Sequence, residues 1–204
     1  MYHVIGGAQN RTFRVIWMLE ELGERYERTA CHPQEAVVRQ HSVLGKLPVL
    51  LVDDVPLTDS TAILTFLADR HGRFTALPGT LARAAQDGIT HQVLDELEAG
   101  LWLIARHAFI LPEERRIPQV REVARWELEQ RFEMLARRLK GPYLMGESMS
   151  VPDFIALHCI NWAVIAKVPL PEALGDYAEM LRQRPGYQRA VAADKAAEAQ
   201  LQAV

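Results

Sequence analysis

The sequence predicts an α/β domain over residues 1–75 followed by an all-α domain over residues 83–204. Three observations carry this expectation. Up to about residue 75, short β-type apolar runs alternate with amphipathic helical ones. Residues 73–82, with Pro78 and Gly79, interrupt both periods and read as a linker. Beyond them only the helical period remains, as at Leu128, Phe132, Leu135 and Leu139. With 204 residues, 49% of them hydrophobic and 24% charged, the chain can bury its cores without disulfide or metal staples.

Taken in order, Tyr2 to Ile5 reads as a first strand. Gly6 and Gly7 turn the chain into a helix whose apolar positions Val15, Met18, Leu19 and Leu22 share one face, and Gly23 stops it. A second strand fits Tyr26 to Cys31, and a polar helix follows Pro33, since proline is tolerated in a first helical turn. Val49 to Val52 and Val55 to Leu57 form a hairpin about Asp53-Asp54. A helix from Ser60 to about Arg70, with Gly72 past its end, completes a βαβαββα order. In the second half, helices are expected from about Leu81 to Phe109, Pro118 to Leu139, Val151 to Ala166, Glu172 to Gln183 and Pro185 to Ala199. Ser150 and Asp153 form a capping box, with Met149 and Phe154 as a hydrophobic staple.

Composition excludes several classes of function. Lys and Arg number 23 against 26 Asp and Glu, a net charge of −3, which disfavours a nucleic-acid partner. Cys31 and Cys159 lie far apart among apolar neighbours and read as buried thiols of a reducing, cytoplasmic compartment. The apolar run at the N-terminus is too short for a signal sequence, and no stretch suits a membrane helix. Asp87, His91 and Asp95 share a helix face but lack a fourth ligand, so no metal is expected. His158 and Cys159 point to different faces. No phosphate-binding loop, dinucleotide fingerprint or nucleophile elbow is present.

Three segments hold candidate chemistry. The junction Gly7-Ala8-Gln9-Asn10-Arg11-Thr12 leads into a helix N-terminus, which favours an anion or thiolate; Asn10 equally suits a helix cap. In Gly45-Lys46-Leu47-Pro48-Val49 a proline opens an apolar strand, which a cis Leu47-Pro48 bond would explain while leaving the Leu47 main chain free for a peptide-like ligand. In Leu57-Thr58-Asp59-Ser60-Thr61-Ala62-Ile63, Ser60 and the helix N-terminus can hold a carboxylate and Asp59 an ammonium, or both can simply cap.

Together, the run from Arg11 to Gly23, Gly45-Lys46-Leu47-Pro48-Val49-Leu50 and Leu57 to Ile63 closely resemble the cytosolic glutathione transferase superfamily of bacterial type. Gly146-Glu147-Ser148-Met149-Ser150-Val151-Pro152-Asp153 resembles that family's capping box, and Arg184-Pro185-Gly186-Tyr187 its late Arg-Pro element. The resemblance implies a thioredoxin-like N-terminal domain that binds glutathione and an all-helical C-terminal domain with an electrophile pocket. It places glutathione against Gln9, Asn10, Lys46, Leu47, Pro48, Asp59 and Ser60. It implies Asn10 and Thr12 as the catalytic positions, and Trp102, His107 and Phe109 as the lining of the pocket. The departure is at Gln9 and Asn10, where family members usually carry Ser, Tyr or Cys. The implied function is a homodimeric glutathione transferase of detoxification type, which stabilises the glutathione thiolate and adds it to a small hydrophobic electrophile. Glutathione is then a co-substrate, with no separate cofactor, no nucleic acid and no membrane as partner. The alternatives are a glutathione-dependent disulfide reductase or peroxidase, and a non-catalytic binding protein of the same fold.

Overall fold

Four strands form one mixed sheet in the computed structural model, which describes residues 1–203. They are β1 (Tyr2–Ile5), β2 (Tyr26–Thr29), β3 (Val49–Val52) and β4 (Val55–Thr58). Their order is β2-β1-β3-β4, with β1 and β2 parallel and the other pairs antiparallel. The helices of this half are α1 (Thr12–Leu22), α2 (Ala36–Arg39) and α3 (Ser60–His71). The predicted order of elements is therefore found. β2 stops at Thr29, short of Cys31, and the helix expected after Pro33 is a single turn beginning at Ala36.

Apolar spacing decides what covers the sheet. Val15, Ile16, Met18 and Leu19 of α1 and Ile63, Leu64 and Leu67 of α3 are fully buried, and the two helices pack together. A separate cluster joins Ile5, Cys31, Val38 and Val49, with Val37, Leu47 and Leu51 packed against it. Both cysteines are buried, and neither forms a disulfide. Burial pushes the Cys31 thiol up to about 11, and the Glu35 carboxylate adds to this, so it stays protonated at neutral pH.

The second half contains α4 (Leu81–Gln92), α5 (Ala99–Ala105), α6 (Pro118–Arg138), α7 (Val151–Ile165), α8 (Glu172–Arg182) and α9 (Pro185–Gln202). The single helix expected from Leu81 to Phe109 instead alternates α and π segments, the π turns being Val93–Glu98 and Arg106–Ile110. Neither segment contains a Pro or Gly that would mark the change in the sequence. The α6 stripe forms as expected, with Ala124, Leu128, Phe132 and Leu135 buried. Helix α7 is apolar around most of its circumference and buried to match, with Met149 and Phe154 both inside.

The chain divides into two compact units, one of residues 1–75 with the segment from Arg182 onward, the other Ala76–Leu181. The last helix thus joins the first unit, whereas the sequence reading places it with residues 83–204. The reason is the Arg-Pro element. Arg184 grips Glu21 of α1 through both carboxylate oxygens, at 2.8 and 2.7 Å. Tyr187 meets Phe13 and Trp17 edge-on, each at 5.2 Å between ring centroids. At Gly186 any Cβ would lie 2.6 Å from the Glu21 side chain, so only glycine lets the helices approach this closely.

Candidate functional site

Strand register brings the candidate segments to one end of the sheet. Ile5 pairs with both Thr29 and Val49, and Val49 pairs with Thr58, so β1, β2 and β4 end where β3 begins. Leu47 and Pro48 directly precede Val49, Asp59 and Ser60 directly follow its partner Thr58, and Gly6 and Gly7 directly follow its other partner Ile5. The Leu47-Pro48 bond is cis, as the sequence suggests.

Several polar groups at this end keep unused hydrogen-bonding capacity. The N–H and C=O of Leu47 take no partner among the described residues. Lys46 is exposed, and its ammonium likewise has no partner there. Asp59 caps α3, its Oδ1 accepting from the N–H groups of Thr61 and Ala62 at 2.9 and 3.0 Å. The other oxygen of Asp59 has no partner among the described residues. Asp59 adopts φ 70°, a conformation unfavourable for a side chain bearing a Cβ, and the two cap bonds hold it there. Ser60, just inside the helix, has a main-chain N–H without a partner among the described residues. Its hydroxyl, in a residue that is itself buried, accepts from Nη1 of the fully buried Arg14 at 3.2 Å and so still has its proton to donate.

The turn before α1 is built differently. Helix α1 starts at Thr12 with Arg11 as its cap residue, and Asn10 makes an Asx turn just before it. Its Oδ1 accepts from Thr12 N–H at 2.8 Å and its Nδ2 donates to the Ala8 carbonyl at 3.1 Å. The first helical amides also close locally, Phe13 on the Asn10 carbonyl and Arg14 on the Arg11 carbonyl. The second amide proton of Asn10 has no partner among the described residues. Thr12 is fully buried, and its hydroxyl lies where a Cβ on Gly6 would be. That hydroxyl is therefore sealed under the backbone, out of reach of a ligand in front of the turn. Gln9 is held from behind, its N–H on Asp194 at 2.9 Å and its side chain on Glu198 at 2.7 Å. A cavity of about 330 Å³ beside the turn is lined by Ala30, His32, Glu35, Gln200 and Leu201.

In the helical unit, Trp102 meets Trp162 edge-on at 6.4 Å. His107 accepts the Ile117 N–H through Nδ1 at 3.1 Å, and Phe109 is exposed. Among the described residues no group of three or more His, Cys, Asp or Glu could hold a metal, and no helix is long and apolar enough to cross a membrane. Sequence reasoning missed Arg14, Arg28, Asp194 and Glu198. A charged residue within a short strand was the only hint of Arg28, and its partner Asp194 is 166 residues away.

A family model described as the glutathione S-transferase N-terminal domain matches residues 11–70, the stretch that holds α1, the Leu47-Pro48 turn and the Asp59 cap. Over that stretch the chain is similar to the glutathione S-transferase N-terminal domain family. It is 24% identical to human glutathione S-transferase A4 over 169 residues, which is 79% of this chain and 72% of that one. Its fold matches a glutathione transferase from Methylococcus capsulatus with TM-score 0.83 and 22% identity, covering 96% of this chain and 99% of the other. A sphingomonad glutathione S-transferase complexed with glutathione matches with TM-score 0.81 and 20% identity, over 95% and 98% of the two chains.

Proposed function

We propose that the chain is a glutathione transferase that binds glutathione across the sheet end and adds its thiolate to a small hydrophobic electrophile. One observation carries the reading: donors and acceptors with capacity to spare adjoin the paired strand ends there, and their kinds suit the parts of the tripeptide. Leu47 offers an N–H and a C=O to the cysteinyl segment, as an added strand would receive them. Ser60 offers an N–H and a hydroxyl at a helix N-terminus to the γ-glutamyl carboxylate. The open oxygen of Asp59 takes the ammonium, and Lys46 takes the glycyl carboxylate. Pro48 fixes the bend, and Gln9 borders the sulfur side.

Asn10 then donates its remaining amide proton to the sulfur. A carboxamide has no useful pKa, so it stabilises the thiolate without accepting its proton, which leaves to water. Helix α1 adds the positive end of its dipole. Thr12 serves through its main chain, because its hydroxyl is buried. The S–C bond forms by attack of the thiolate on the electrophile, whose displaced or accepted electron pair takes a proton from solvent. Trp102, His107 and Phe109 are assigned to the electrophile pocket of the helical unit. A disulfide-exchange route through a protein thiol is disfavoured, since Cys31 is buried and its pKa raised.

The test is the pH dependence of thiolate ultraviolet absorbance for bound glutathione. Asn10→Ala is expected to raise the thiol pKa and lower turnover by roughly tenfold to a hundredfold, with the loss of its Asx turn costing about 1 kcal/mol of stability. An unchanged thiol pKa in a destabilised variant would leave Asn10 only its turn-forming role. We assign a homodimer as the working state; sedimentation should give twice the 23.1 kDa chain mass, and a monomer at micromolar concentration would refute this.

A further inference from the structure

We propose that Arg28 and Asp194 are positioning residues that set the thiol-facing turn Gly6–Asn10. This rests on the assignment of Asn10 to the glutathione sulfur. The Arg28 side chain is only 9% exposed and that of Asp194 12%. The guanidinium donates to the Gly6 carbonyl at 3.1 Å, the Gly7 carbonyl at 2.7 Å, the Ala193 carbonyl at 3.2 Å and Asp194 Oδ1 at 2.8 Å. The second oxygen of Asp194 accepts the Gln9 N–H. One ion pair thus holds three successive peptide groups of the turn and ties them to α9.

The hold is needed because the turn is not self-supporting. Gln9 adopts φ 55°, in the left-handed region that a residue with a Cβ occupies at a cost. Its main-chain N–H on Asp194 and its side chain on Glu198 keep it there. Ala8 lies between the carbonyls fixed by Arg28 and the N–H fixed by Asp194, and the Ala8 carbonyl receives the Asn10 amide. The direction of the remaining Asn10 amide proton is therefore inherited from the clamp. A planar guanidinium suits this task, since three carbonyls and a carboxylate must be met at fixed angles; an ammonium has neither the fork nor the reach.

The ion pair between Glu21 of α1 and Arg184 supplies the control, because it also anchors α9 but away from the turn. Arg28→Lys, Asp194→Asn and Glu21→Gln are compared with the parent for thermal stability, the thiol pKa of bound glutathione, and affinity for S-methylglutathione, which lacks the ionisable thiol. Asp194→Asn keeps the side-chain shape and carries the test where Arg28→Lys yields little folded protein. The Arg28 and Asp194 variants should raise the bound thiol pKa by about one unit, or tenfold less thiolate near neutrality. Their S-methylglutathione affinity should stay within about twofold, as expected when uniform binding is untouched. Glu21→Gln should lower stability with no change in thiol pKa. Equal pKa shifts in all three variants, or none in the clamp variants while the parent holds a thiolate, would overturn this inference alone. A parent that binds no glutathione would remove the underlying functional reading and this one with it.

Discussion

Asp59 and Asp153 each accept hydrogen bonds at the first turn of a helix, and they are built in opposite ways. Asp153 is fully buried and both its oxygens are saturated. One accepts from Leu144 N–H at 2.9 Å and the Tyr177 hydroxyl at 2.7 Å, the other from Ser150 N–H at 2.7 Å and the Ser150 hydroxyl at 3.0 Å. Asp59 is exposed, spends one oxygen on two amides, and leaves the other open. The same residue type thus saturates its oxygens inside one unit and keeps one oxygen open at the surface of the other. What separates the roles is remaining hydrogen-bond capacity and access, since capping is common to both.

Breaking the buried member should have the largest effect. Asp153→Ala strands two amides, a serine hydroxyl and a tyrosine hydroxyl inside the helical unit, and should cost about 3 kcal/mol or more in chemical denaturation. Glutathione affinity of the protein that remains folded should hardly change. Loss of affinity out of proportion to unfolding would mean that the two aspartates are not separable as described.

Next in size is Asp59→Asn, which retains an oxygen for the cap but removes the charge facing the ammonium. Calorimetry should show glutathione binding weakened roughly tenfold to a hundredfold, the range for a charged hydrogen bond. Stability should fall by no more than a few tenths of a kcal/mol, since Asn caps nearly as well as Asp. Parent-like affinity would place the ammonium elsewhere and leave Asp59 as only a cap.

The smallest effect concerns a buried ionisable group without Asp153's hydrogen bonds. The Cys31 thiol, raised to about 11 from 9.0 by burial, holds its proton in the folded state to higher pH than in the unfolded chain. Its contribution to stability is complete below about pH 9 and is lost as pH rises towards about 11. Denaturation midpoints followed through that range should fall less steeply for Cys31→Ala than for the parent. Parallel curves would show that the thiol ionises alike in the folded and unfolded chain, so that burial does not raise its pKa.

Local chemistry made much of this legible in the sequence. The Asp59 cap, the capping box at Ser150 and the proline opening β3 each follow from residues within four positions of one another. The alternation of strands and helices follows from the spacing of Val, Ile and Leu. Two kinds of feature stayed hidden. The π turns at Val93–Glu98 and Arg106–Ile110 contain no Pro or Gly to set them apart from the α segments beside them. The Arg28–Asp194 pair joins residues 166 apart, and neither neighbourhood signals the other. Asn10 lies between these cases: its turn-forming chemistry was readable, but that its oxygen is spent on Thr12 while one amide proton stays available depends on geometry.

The docking of the Arg184–Tyr187 element on α1 also sets an order of events during synthesis. Glu21 and Arg184 are 163 residues apart, so β1 to β4 and α1 to α3 leave the ribosome long before the helix that covers α1 exists. Until then Phe13 and Trp17 lack the tyrosine ring they pack against, and the first unit waits, incomplete, through translation of the whole second one. Non-local closure of this kind slows folding and prolongs exposure of apolar surface. The first unit to be translated is therefore the last to be finished, and a fragment ending at Thr75 would carry the candidate site on an uncovered helix.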